Sequence, residues 1–205
     1  MLHCSPQLVA APAVQVAKEP ALATQMYSYY QGLKDFSADF QQTKTLKVED
    51  VELKSSGTLK VSLGRALLWD IKSPGRLSVF FDQSLLRIRS GEGATATTAT
   101  YDLKTGNYSE KITANMRELT ALLAMDKAAM ADQYTVTADG QQLNLQPKKI
   151  RQFLQVSMRV AKAGWIASIK IAEVSSDQML IEFAAPQKTD TKWIETWTNM
   201  PNHSG

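Results

Sequence analysis

The chain predicts a mainly β (α+β) fold, in which one long antiparallel sheet curls strongly and two helices cover its open face. Three observations carry this reading. From Phe36 onward apolar residues recur with period two through most of the 205 residues. The runs are separated by turn signals such as Ser73-Pro74-Gly75, Asp139-Gly140 and Ala163-Gly164. Helical spacing of three and four is confined to two stretches, 22–33 and 115–130. A sheet of about eight to eleven strands cannot stay flat. If it curls without closing, its concave face needs a cover, and the two amphipathic helices are the only elements able to supply one.

The elements follow in chain order. Residues 1–20 read as a signal remnant or a disordered tail: Leu8 to Ala17 has the length of an export hydrophobic region and Ala21-Leu22-Ala23 offers a small-x-small site, but no cationic start precedes them. Residues 21–205 read as one domain. Glu19-Pro20 suits a helix's first turn, Leu22, Met26, Tyr29 or Tyr30 and Leu33 repeat at helical steps, and Asp35 closes the helix. Val51 to Leu63 alternates around Gly57, which marks a bulge or bend. Leu67, Trp69 and Ile71 repeat the alternation, and Leu77–Phe81 and Leu85–Arg89 form a hairpin. The Thr- and Ala-rich run after Gly93 is either an edge strand or a loop, because threonine favours strands but buries little. A second helical face carries Met116, Leu119, Leu122 and Leu123, with Met125 near it. Strands resume at Tyr134 and continue to Phe183, and Trp193–Trp197 is expected to be a last strand or a docking tail.

Composition narrows the function. The net charge of +3 is spread among 23 basic and 20 acidic residues with no basic stripe, so no nucleic-acid partner is expected. The single cysteine, Cys4, excludes an intrachain disulfide and a thiol metal site. The histidines are His3 and His203, no Gly-x-Ser-x-Gly occurs, and Gly91-Glu92-Gly93 leads into threonines rather than a helix. We therefore expect no enzyme, no metal and no cofactor. The strands of 36–71 place apolar side chains on one face with no acid, histidine or thiol among them, a surface suited to holding apolar groups.

The motifs Phe36-Ser37-Ala38-Asp39-Phe40-Gln41-Gln42, Gly57-Thr58-Leu59-Lys60-Val61 and Leu67-Leu68-Trp69-Asp70-Ile71 are followed by the helix around Leu122 and the hairpin over 134–147. In order and spacing they resemble the outer-membrane lipoprotein carrier (LolA) family over roughly residues 22–185. The resemblance implies an incomplete antiparallel barrel with a helical lid over a hydrophobic cavity. It also implies a soluble periplasmic monomer that shuttles acylated lipoproteins from an inner-membrane transporter to an outer-membrane receptor. The residues matched to cargo binding are Phe40, Leu59, Val61, Leu67, Trp69, Ile71 and Val79; Met116, Leu119, Leu122, Leu123 and Met125 match the lid. Where the family places a lid-tying arginine this chain has Leu63-Gly64, which leaves Arg65 as the candidate latch. That departure keeps two alternatives open: a carrier of another lipid or hydrophobic pigment, and an outer-membrane acceptor of the same fold.

Overall fold

A computed structural model describes residues 19–82, 84–104, 122–123, 127–149 and 152–201. Helix α1 (Ala21–Leu33) leads into strand β1 (Asp35–Leu46), followed by β2 (Val51–Ser62), β3 (Ala66–Ser73), β4 (Leu77–Asp82), β5 (Leu85–Ser90) and β6 (Thr97–Asp102). Helix α2 (Lys127–Gln133) precedes β7 (Tyr134–Asp139), β8 (Gln142–Pro147), β9 (Phe153–Val160), β10 (Ile166–Glu173) and β11 (Gln178–Phe183). A two-residue strand β12 (Gln187–Lys188) and helix α3 (Lys192–Thr198) end the described chain.

All strands of the described residues join one antiparallel 12-stranded sheet in the order β6-β5-β4-β3-β2-β1-β11-β10-β9-β8-β7, with β12 also on β1. The sheet does not close into a barrel: β6 and β7 are its two end strands and do not pair with each other. It is a meander in each half, and the halves join through β1 with β11, where Phe40 lies opposite Phe183. The Thr-rich run is therefore an edge strand, β6, paired with β5. The count slightly exceeds the expected eight to eleven because β12 adds a short strand beside Phe36 and Ser37.

Register assigns the faces. Phe36, Ala38 and Phe40 lie opposite Val61, Leu59 and Gly57, which in turn lie opposite Leu67, Trp69 and Ile71. One face of the first half is thus continuously apolar, the consequence of period-two alternation kept in step across three strands. Gly57 breaks the ladder, as its position in the sequence implied: Ser56 pairs Ser73 while Gly57 pairs Ile71, so Lys72 bulges out of β3. The Asp70 carbonyl oxygen lies 2.0 Å from where a Cβ on residue 57 would stand, a separation no side chain tolerates.

Helix α1 lies on this concave face. Pro20 stands just before the helix, its carbonyl accepting from the Ala23 and Thr24 N–H groups. Lys34, with φ of 61°, ends the helix one residue earlier than expected, and Asp35 already belongs to β1. The Leu63 N–H donates to the Lys34 carbonyl at 2.9 Å, tying this corner to the β2–β3 turn. Leu22, Ala23, Met26, Tyr27 and Tyr30 are the buried stripe of α1, at the spacing that faces one side of a helix.

Of the two expectations for the C-terminal segment, a last strand or a docking tail, the second holds: the segment docks on the sheet, as a helix rather than a strand. It is helix α3, whose Trp193 packs with Ala66, Leu68 and Phe80 on the outer, convex face, with Leu85, Ile194 and Trp197 at the margin. The Phe80 ring stacks on Trp197 at 5.9 Å and meets Trp193 edge-on at 6.2 Å.

The two helix and strand glycines give a contrast. Gly57→Ala is expected to cost about 3 kcal/mol through forced strand displacement, whereas Gly32→Ala, with nothing within 4 Å of its Cβ position, should be neutral or stabilise by up to about 1 kcal/mol. Urea denaturation of the two variants checks both signs.

Candidate functional site

The concave face gathers every residue matched to the cargo. Phe40, Leu59, Val61, Leu67 and Trp69 are buried, and half-buried Ile71 and Val79 pack against them in the same apolar cluster. Phe40 and Trp69 sit on β1 and β3, one strand apart, and reach across β2 above Gly57, where no side chain intervenes. Their rings stack with centroids 3.9 Å apart and planes at 24°. Phe183 from β11 meets Trp69 edge-on at 6.4 Å. This aromatic group spans the join between the halves of the sheet.

The second half contributes as much of the surface as the first. Leu143 and Leu145 of β8, Val156 and Met158 of β9, Ile169 and Ile171 of β10 and Ile181 of β11 belong to the same cluster. Their alternation is visible in the sequence, but the pairing of β1 with β11 that turns them toward Trp69 is a contact between segments over a hundred residues apart. No local pattern encodes that.

The covering residues are α1, Met130 of α2, and helical Leu122 and Leu123, which are 0% and 1% exposed. Of the residues matched to the lid, Leu122 and Leu123 are thus on the cluster, while Met116, Leu119 and Met125 lie outside the described residues. Arg65 is exposed at the β2–β3 turn, its backbone N–H donating to the Ser62 carbonyl at 2.9 Å.

Polar groups touch the cluster at two places. At the α1 end the buried Tyr30 oxygen accepts the Ile166 N–H at 3.1 Å. Burial pushes this phenol far above its ordinary value of 10.0, outweighing the Ile166 N–H, which favours the phenolate. Gln25 donates to the Lys162 carbonyl at 2.8 Å, so α1 is pinned to the β9–β10 turn twice. At the opposite end Lys44, on the same face of β1 as Phe40, holds Glu173 through both carboxylate oxygens at 3.1 and 3.3 Å. Their side chains are 27% and 7% exposed, so the apolar wall ends in a nearly sunken ion pair. Among the described residues no group of three or more His, Cys, Asp and Glu could hold a metal ion. Nor is any helix there long and apolar enough to cross a membrane, which leaves strands aside.

The architecture is an unclosed antiparallel sheet whose concave apolar face is covered by helices. The family model described as outer membrane lipoprotein carrier protein LolA matches residues 31–192, and the chain belongs to that family. The family is one of carriers, so its role is binding. Among solved structures the chain is similar to the LolA superfamily protein of Nitrosomonas europaea, at 7% identity over 83% of this chain and 93% of that one with a TM-score of 0.46. It is also similar to Mycobacterium tuberculosis lipoprotein LppX, at 10% identity over 85% and 99% with a TM-score of 0.45. A chain of the Pseudomonas aeruginosa MucA/MucB complex matches at 8% identity over 82% and 57% with a TM-score of 0.41. No curated protein matches this sequence.

Two outcomes follow from the polar contacts. Tyr30→Phe leaves the Ile166 N–H buried and unpaired and should cost about 1–3 kcal/mol at neutral pH. Because the folded state holds the Tyr30 proton more tightly than the unfolded chain, its contribution is complete below about pH 10 and lost as pH rises beyond it. The stability of the native sequence should therefore fall more steeply above pH 10 than that of Tyr30→Phe, as read by denaturant midpoints across pH. Lys44→Met strands the Glu173 carboxylate and should cost about 2 kcal/mol, less than a fully buried pair because Lys44 keeps some solvent contact. Lys44→Met with Glu173→Leu should recover most of that loss in the same denaturation assay.

Proposed function

We propose that this protein is a periplasmic carrier that takes the acyl chains of lipoproteins onto its concave apolar face and shuttles them from an inner-membrane transporter to an outer-membrane receptor. One observation carries the reading: Phe40, Leu59, Val61, Leu67, Trp69, Ile71 and Val79 meet in a single apolar cluster under helices, in a chain of the lipoprotein-carrier family. These seven are the proposed cargo wall, and Leu122 and Leu123 the described part of the lid. Residues 21–205 act as one unit and as a monomer, preceded by an export segment within 1–20.

The physics requires no catalytic group. Burying roughly fifteen methylenes at about 0.8 kcal/mol each contributes on the order of 10 kcal/mol, which offsets loss of the membrane environment. The same surface is covered by the protein's own side chains in this structure, so cargo and cover compete for it. Aromatic and aliphatic walls without directional polar groups suit chains of varied length and saturation.

The test is native mass spectrometry of the protein recovered from a periplasmic host, followed by lipid extraction. Acylated lipoprotein on the protein supports the carrier reading; another lipid or a pigment replaces the cargo. An empty protein that also leaves a fluorescent fatty acid unbound sinks it. A sharper outcome concerns the lid. Leu122→Ala should destabilise the empty protein by about 2–4 kcal/mol and yet raise fatty-acid affinity several-fold, because it weakens the state that excludes cargo. Thermal melts and fluorescence titration of one preparation read the two opposite signs.

A further inference from the structure

A second concavity lies on the opposite face of the sheet, away from the apolar wall. It is a cleft of about 650 Å³ bounded by Lys60 of β2, Asp70 of β3, Ser78 of β4, Arg89 of β5, the Gly91–Gly93 turn, and Trp193 and Trp197 of α3. That volume falls in the range of small-molecule sites. Outer-face register explains why these residues meet: Lys60 lies opposite Leu68, and Asp70, Ser78 and Arg89 form the adjoining row across three strands. Helix α3 then roofs the two rows.

The charges in the cleft do not cancel. Arg76 takes both acids, with Glu92 at 3.3 Å and Asp70 at 4.0 Å, and the Ser78 hydroxyl donates a further bond to Asp70 at 2.7 Å. Lys60 has no carboxylate within ion-pair distance among the described residues, and Arg89 reaches only the Met200 sulfur at 3.9 Å. Two cations therefore face a cleft whose carboxylates are already engaged. Trp193 also lines the cleft, 6% exposed and packed edge-on against Phe80. Trp197 is half-buried with one face against Phe80, so its remaining surface offers an apolar platform.

We propose that this outer-face cleft binds a phosphate or carboxylate carried on a flat apolar body, either a free small molecule or the head of a lipid. Lys60 and Arg89 hold the acid group, and Trp193 and Trp197 hold the apolar part. The site is separate from the concave wall, so its ligand regulates or accompanies carriage rather than being the acyl cargo.

The test uses phenyl phosphate, which is too short to fill an acyl site, titrated into ¹⁵N-labelled protein. The indole signals of Trp193 and Trp197 should shift saturably while those of Trp69 and Trp165 stay in place. Lys60→Gln and Arg89→Gln should each weaken binding at least fivefold, inorganic phosphate should bind at least tenfold more weakly, and Lys54→Gln, an exposed cation elsewhere, should change nothing. Unmoved Trp69 and Trp165 signals in each variant confirm that the fold is intact. Absence of any shift, an equal response to benzyl alcohol, or indifference to both cleft substitutions overturns the proposal. Co-sedimentation with phosphatidic acid vesicles separates the sources: retention lost in Lys60→Gln and Arg89→Gln assigns the lipid head, and no retention assigns the free molecule.

Discussion

The concave face depends on the missing side chain at residue 57. With the Asp70 carbonyl oxygen 2.0 Å from the Cβ position, β2 and β3 cross there more closely than any other residue would allow. The bulge at Lys72 absorbs the extra length on β3, and bulges increase local twist. The same vacancy lets Phe40 and Trp69 stack above β2 at 3.9 Å, filling the space that a glycine leaves on a sheet. Phe183 then closes against Trp69 from the far half of the sheet. A side chain at 57 would push β2 from β3 and part the rings, so the close approach of the strands and the aromatic stack share one origin.

Strand burial shows why neighbouring strands of the first half read differently. In β1 the pattern is apolar-in and polar-out, with Asp39 accepting from Thr58 on the outer side at 2.8 Å. In β3 the run Ala66-Leu67-Leu68-Trp69 is buried throughout, because Leu67 and Trp69 face the concave cluster while Ala66 and Leu68 face α3. Strands covered on both faces lose alternation and become continuous apolar runs. Consecutive Phe80 and Phe81 of β4 carry the same signal, and the outer cover they call for is α3.

Much of the fold was legible because alternation is local. The strands from β1 to β5, the bulge at Gly57, the Asp139-Gly140 hairpin and the stripe of α1 follow from spacing alone. The seven residues matched to the cargo fall in one apolar cluster, since parity along each strand and short connections preserve register. The β1–β11 join was hidden, because which strands close a long meander depends on contacts far apart in sequence. Helix α3 was hidden for another reason. Seven residues with Trp193, Ile194 and Trp197 give too few turns to separate a helical from an extended period, and the helix is held by Phe80 and Leu68 rather than by its own propensity.

The two parts of the cover are held by different contacts. Helix α1 is fixed through backbone groups: Leu63 N–H on the Lys34 carbonyl, Ile166 N–H on Tyr30, and Gln25 on the Lys162 carbonyl. Gly164 packs so close that a Cβ there would stand 3.1 Å from the Cβ of Tyr29. Among the described residues α2 is held by the exposed Lys127–Glu19 pair, by the Lys148 side chain on the Ala131 carbonyl, by the Lys148 N–H on the Gln133 carbonyl at 2.8 Å and by the buried Tyr27 hydroxyl on the Met130 sulfur. The exposed Lys127–Glu19 pair contributes about 0–1 kcal/mol. Burial of Leu122, Leu123 and Met130, 0–1% exposed, adds about 2 kcal/mol for each side chain, and it presses this side onto the same apolar cluster as the stripe of α1.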